Sequence, residues 1–174
     1  MAASLALAAF GVSSCAPSPH NTQTGPLTYG DPDGRTRSKF CQPLTPGGGN
    51  YGIAEPITNA SSDPITIEGV TVEGAEGFTS EEAAAKALRE GEDALYAWGP
   101  QSSRDTQETV RALSAPADVT IAPGQSGLVA FKVGVAGATN EASASQLVVT
   151  YRQGNKQYRT KGNVSFVFKR GGCG

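Results

Sequence analysis

Few positions in this 174-residue chain carry side chains that could hold or move protons, electrons or metal ions. Histidine is confined to His20, in a stretch rich in Pro, Ser, Thr and Asn with nothing nearby to bury it. A Ser-His-Asp or Cys-His site is therefore not expected, nor is a multi-histidine metal centre. The only methionine is Met1, which leaves no thioether ligands for copper. Asp31-Pro32-Asp33-Gly34 begins like a calcium loop, but Arg35, Arg37 and Lys39 follow it. Such a loop needs further oxygen ligands and a bidentate Glu at its end. Gly47-Gly48-Gly49 is not followed by Gly-Lys-Ser/Thr, so it is no phosphate loop. The remaining candidates are carboxylates, Glu81-Glu82 and Glu90, Glu92 and Asp93. A pair of carboxylates can split glycosidic bonds as acid and base. The same Glu81-Glu82 pair can simply complement the N-terminal dipole of a helix. No catalytic residue, metal or cofactor is assigned. The protein is expected not to be an enzyme, with a carboxylate-using envelope enzyme or enzyme accessory as the alternative.

The stretch Leu5 to Cys15, LALAAFGVSSC, is apolar, ends in small residues and stops on a cysteine. A spanning helix needs roughly 20 apolar residues, so this run suits the core of a secretion signal better. Val12-Ser13-Ser14-Cys15 resembles the end of a bacterial lipoprotein signal peptide, where an aliphatic and two small residues precede the lipidated cysteine. The resemblance implies a signal peptide over 1–14 and lipid, such as palmitate, on Cys15. It also implies a location on the extracytoplasmic face of the bacterial cell membrane, with the membrane as first partner. The alternative is an ordinary apolar segment. No Lys or Arg precedes the run, so the true start is expected upstream of Met1. The chain has three cysteines, and lipid on Cys15 would leave Cys41 and Cys173 as a disulfide pair. That bridge would close a loop worth about 4–5 kcal/mol in the chain-entropy model. The alternative is two unpaired thiols.

A net charge of −2 creates no field for nucleic acid, which is not an expected partner. Charge is uneven along the chain, however. From Glu55 to Asp118 there are 13 acidic residues against four basic ones, and from Val119 onward only Glu141 against seven basic ones. Arg152, Arg159 and Lys161 fall on one strand face, a possible contact for an anionic lipid head group or cell-wall polymer. The alternative is a solvated face balanced by the acidic half.

These side chains need a scaffold, and the pattern is β. Residues 15–50 read as a flexible tether, 51–170 as the folded domain and 171–174 as a tail. Tyr51, Ile53 and Ile57 share a face. Between Ile65 and Val72 the apolar positions slip by one beside Gly69, as a β-bulge would require. Thr79-Ser80-Glu81-Glu82 reads as a capping box, and Ala83 to Leu88 favours helix, so a short inserted helix is expected at about 80–90. Leu95 to Trp98 reads as a strand, and Gly99 to Thr109 as a loop. Ala122-Pro123-Gly124 is a type II turn between Val119-Ile121 and Val129-Val135. Gly154-Asn155 makes a two-residue hairpin that sets Tyr151 opposite Tyr158 and Val149 opposite Thr160. Leu147, Val149, Tyr151, Tyr158, Val164, Phe166 and Phe168 then share one face.

Short strands with regular turns and no βαβ alternation indicate an all-β, antiparallel sandwich. Over residues 50–170 the strand pattern resembles the immunoglobulin-like domains of secreted bacterial proteins, without their Cys–Trp–Cys framework. The expected role is non-catalytic binding or structural support. Segment 74–110, in which Phe78, Tyr96 and Trp98 bracket the expected helix, is where an envelope-protein partner is expected. The alternative is that those aromatics cap the core, and a carbohydrate- or cell-wall-binding module is the other functional reading.

Overall fold

The computed structural model describes residues 25–29 and 38–173. Cys15, His20, the signal-like run and the turn at 31–34 lie outside the described residues.

The alternating Tyr51, Ile53 and Ile57 lie in the longest strand, β3 (Gly48–Asn59). It forms a sheet with β1 (Leu27–Tyr29), β8 (Ser126–Ala136) and β5 (Ser80–Ala87) in the order β1-β3-β8-β5, and β6 (Ala97–Trp98) also pairs with β3. A second sheet runs β11 (Lys156–Lys161), β10 (Gln146–Gln153), β4 (Ile65–Glu73), β7 (Thr120–Ile121). A third joins β2 (Ser38–Pro43), β12 (Val164–Lys169) and β9 (Glu141–Ala144). The last two continue each other along one long hairpin. Its register passes from Val148↔Lys161 to Phe166↔Ala144, a slip of one residue at Gly162–Asn163. All strand pairs are antiparallel except β2 with β12. The result is an all-β sandwich of mainly antiparallel sheets.

Ile53, Ile57, Val129 and Val133 from the first sheet meet Ile67, Leu147, Val149, Tyr151, Phe166 and Phe168 from the other side, all buried. The hairpin register is the expected one, Tyr151↔Tyr158 and Val149↔Thr160. The bulge is also where the phase slip places it: Thr150 pairs with Gly69 and Tyr151 with Ile67, leaving Glu68 unopposed. Gly124 has φ 70°, and the Gln125 amide donates to the Ala122 carbonyl at 3.0 Å, closing the type II turn. Cys41 and Cys173 are joined by a disulfide with Cα atoms 5.9 Å apart.

Three expectations are corrected. Residues 80–87 are a strand, not a helix. The local preference of Ala83 to Ala87 is overridden by eight backbone pairings with β8 and by burial on both faces. Ala85 enters the main core, while Ala84 enters a second cluster on the outer side of the sheet. The helix instead falls in the expected loop, as α1 (Arg104–Arg111). Ser103 caps it by accepting from the Thr106 amide at 3.2 Å, and Arg104 pairs with Glu108 one turn on. Within the range 15–50 expected as a flexible tether, β1, β2 and the start of β3 are strands. β2 is held by its parallel ladder with β12, a long-range partner that local composition does not reveal.

The second cluster sets Ala54, Ala84, Leu88, Trp98, Leu113, Leu128 and Ala130 beneath segment 88–113, on the outer face of the first sheet. Its centre is Trp98, whose indole lies flat on Gly52. A Cβ there would sit 1.9 Å from the ring. Gly52→Ala is expected to force the indole out of place and to cost about 1–3 kcal/mol, read from urea unfolding. An unchanged midpoint would mean that the ring has room to move.

Candidate functional site

The inserted segment creates a groove. Its floor is the ends of β3, β8 and β5, and its wall is Trp98-Gly99-Pro100 together with α1. Close approach is possible because Gly49 (φ 135°) has no side chain; a Cβ would stand 2.7 Å from Pro100 Cγ. The Gln107 amide donates to the Gly99 carbonyl at 3.3 Å and pins α1 to the wall. The groove measures about 900 Å³ and is open to solvent, a size that admits a small ligand or a peptide segment. Lys132 Nζ lies 3.0 Å from Glu82 Oε1 on the floor. Glu81 and Arg111 also line the groove; both are exposed, and neither makes an ion pair among the described residues. The site therefore offers one carboxylate, one guanidinium and the amides of Asn50 and Gln107 as polar contacts.

The aromatics do not act together. Trp98 is 4% exposed and belongs to the second cluster. Phe78 is half-buried, packed edge-on against Phe168 at 6.0 Å, and so covers the main core. Tyr96 alone is exposed, at 43%. They form no flat strip on which a sugar could stack.

Arg152, Arg159 and Lys161 do share the outer face of the second sheet, but two carboxylates of β4 sit among them. Arg152 pairs with Glu68 at 2.5 Å, while Lys161 (2.8 Å) and Arg159 (3.4 Å) pair with Glu73. The Gln157 amide and Arg152 hold the Glu68 carboxyl below its usual range, and Lys161 and Gln146 do the same for Glu73. The face is a mixed-charge lattice rather than a basic patch.

The candidate acid–base carboxylates are dispersed: Glu81 and Glu82 lie on the edge strand β5, and Glu92 is tied to Lys86. Among the described residues no three His, Cys, Asp or Glu side chains converge as metal ligands. No helix among them is long and apolar enough to cross a membrane.

One carboxylate stands apart. Glu55 is 1% exposed and faces the core with Tyr51, Ile53 and Ile57. Its Oε2 accepts from the Asn163 amide at 3.1 Å, at the register slip, while Oε1 has no hydrogen-bond partner among the described residues. Burial pushes its carboxyl up to about 7, against the pull of the Asn163, Leu147 and Val164 amides. Glu55 was not singled out in the sequence, although its place on the inward phase of Tyr51, Ile53 and Ile57 is the signal that could have found it. Gln107 and Arg111 were hidden because their helix was expected to be a loop.

No protein-family model matches the chain, and no curated protein matches it. Solved structures give distant likenesses. The chain is similar to the VesB protease of Vibrio cholerae at 14% identity, with 82% of this chain and 32% of that one covered and a TM-score of 0.41. It thus spans about a third of that protease. It is similar to the PapD-like domain 7 of human CEP192 at 8% identity, with 94% and 100% covered and a TM-score of 0.44. The CooA pilin subunit from enterotoxigenic Escherichia coli matches at 7% identity over 84% and 97%, with a TM-score of 0.36. None of these likenesses is close enough to transfer an activity.

Proposed function

We propose that this protein is a lipid-anchored binding or structural module of the bacterial cell envelope, acting by contact rather than catalysis. Lipid on Cys15 holds it at the extracytoplasmic face of the membrane, and an envelope protein docks in the groove beneath α1. The observation that carries the docking site is the groove itself, where an inserted helix is fixed over a rigid sheet with Glu81 and Arg111 in no ion pair among the described residues. A protein partner is favoured over a glycan because the one tryptophan is buried and Tyr96 stands alone. The paired charges of the other outer face favour solvent there. For the anchor, the support is the Val12-Ser13-Ser14-Cys15 pattern and the pairing of the other two cysteines. Cys15→Ala is expected to move the protein from the membrane to the soluble fraction of the cells that make it. Undiminished membrane retention of that variant would contradict the anchor.

A further inference from the structure

Glu55 sits in a pocket of the core that the fold leaves half-satisfied. Gly162 is pressed against its carboxyl so closely that a Cβ would lie 2.1 Å from Oε1. Around it, β8 presents Val129 across the ladder, β10 presents Leu147, and the slip presents Asn163 and Val164. From β1 comes Tyr29, 8% exposed, whose hydroxyl also lacks a partner. Among the described residues the phenol of Tyr29 is coupled to Glu55, Tyr151 is coupled in turn to Tyr29, and no ion pair holds a carboxylate at Glu55. Tyr29 feels the carboxyl: its phenol is raised well above its ordinary value by burial first, then by Glu55 and Tyr151.

An ionised Glu55 would need water, and the elements around it differ in how readily they yield. β3, β8 and β10 are central strands with long ladders. Among the described residues β1 is a three-residue edge strand, paired from Leu27↔Asn59 to Tyr29↔Ile57. Tyr29 pairs with Ile57, two residues from Glu55 on the same face of β3, and among the described residues one side-chain hydrogen bond ties β1 to the far sheet, Leu27 N–H donating to the Tyr151 hydroxyl at 3.2 Å, beside the burial of Leu27 and Tyr29 in the core. Lifting β1 removes Tyr29 from above the carboxyl and opens the core there.

We propose that docking of β1 is linked to a proton on Glu55, so that ionisation of this side chain releases the strand. The proton passes to solvent, and water entering behind Tyr29 donates to the carboxylate in its place. On the anchor reading above, release would add the β1 residues to the tether and let the domain stand further from the membrane; the linkage itself does not depend on that reading.

Hydrogen exchange of segment 25–29, corrected for intrinsic rates, tests the linkage at about pH 5.5 and about pH 8.5. Protection is expected to fall roughly tenfold or more in the wild type and to stay nearly constant in Glu55→Gln. Helix α1, on the outer face of the first sheet and away from Glu55, should respond alike in both. A flat profile for 25–29 in the wild type would overturn the proposal, as would an equal fall in Glu55→Gln. Should that variant not fold, the carboxyl titration of wild-type Glu55, followed by carbon NMR, must share its midpoint with the loss of protection. Midpoints more than about one pH unit apart would overturn it.

Discussion

Replacing Cys41 and Cys173 together by serine is expected to cost the domain about 5 kcal/mol, the largest single loss anticipated for this fold. The bridge spans 132 residues of sequence, so the unfolded chain loses much freedom when it is closed. It also acts where the fold is thin. β2 is a six-residue strand joined to β12 by a parallel ladder, and beyond it the Leu44 amide bonds to the Lys169 carbonyl. The disulfide ties this strand to the tail that follows β12. Small domains are stable by about 5–15 kcal/mol, so the loss would consume a large part of the total. Guanidinium unfolding of oxidised wild type against the double serine variant measures it. A difference below about 1 kcal/mol would mean that the unfolded chain is already compact without the bridge.

Stability is expected to fall by about 3 kcal/mol as pH rises from about 4.5 to above 7, through Glu55 alone. The sign follows from where the proton sits. Below about pH 4.5 the carboxyl is protonated in both the folded and unfolded chains and has no effect on the balance. Between there and about 7, where burial places the folded carboxyl, the unfolded chain has released the proton and the folded one retains it. Each pH unit in that window therefore disfavours folding by about 1.4 kcal/mol, and above it the loss is complete. Glu55→Gln should abolish this slope while keeping an oxygen for the Asn163 amide. Urea unfolding of both proteins across the window measures the difference, and equal slopes would show that the loss arises elsewhere.

How far these features could be read from sequence depended on how local their causes are. Alternation in Ile65 to Val72 and in Leu147 to Tyr151 records burial on one face, and the phase slip beside Gly69 records the bulge directly. The hairpin at Gly154 was legible because turn and register are neighbours in sequence. Residues 80–87 were misread because Ala-rich segments suit a helix in isolation. Their ladder with β8 lies some fifty residues away. β1 and β2 were missed for the same reason, being short strands whose partners are distant. In the candidate site, Trp98 was identified but its burial was not, since nothing local shows that Gly52 provides its bed. Glu55 was visible as an inward-facing position, yet the missing counter-charge is a property of the assembled core alone.

The central functional claim is that a partner docks in the groove beneath α1. The most direct measurement is site-specific photo-crosslinking in the cells that make the protein, with the reactive group placed in turn at Arg111 and at Thr150. Arg111 lines the groove, and Thr150 lies on the ion-paired outer face of the second sheet. A discrete protein adduct from position 111, absent from position 150, is the predicted result. An adduct from position 150 alone, or none from position 111 in cells where the protein is properly anchored, would contradict it.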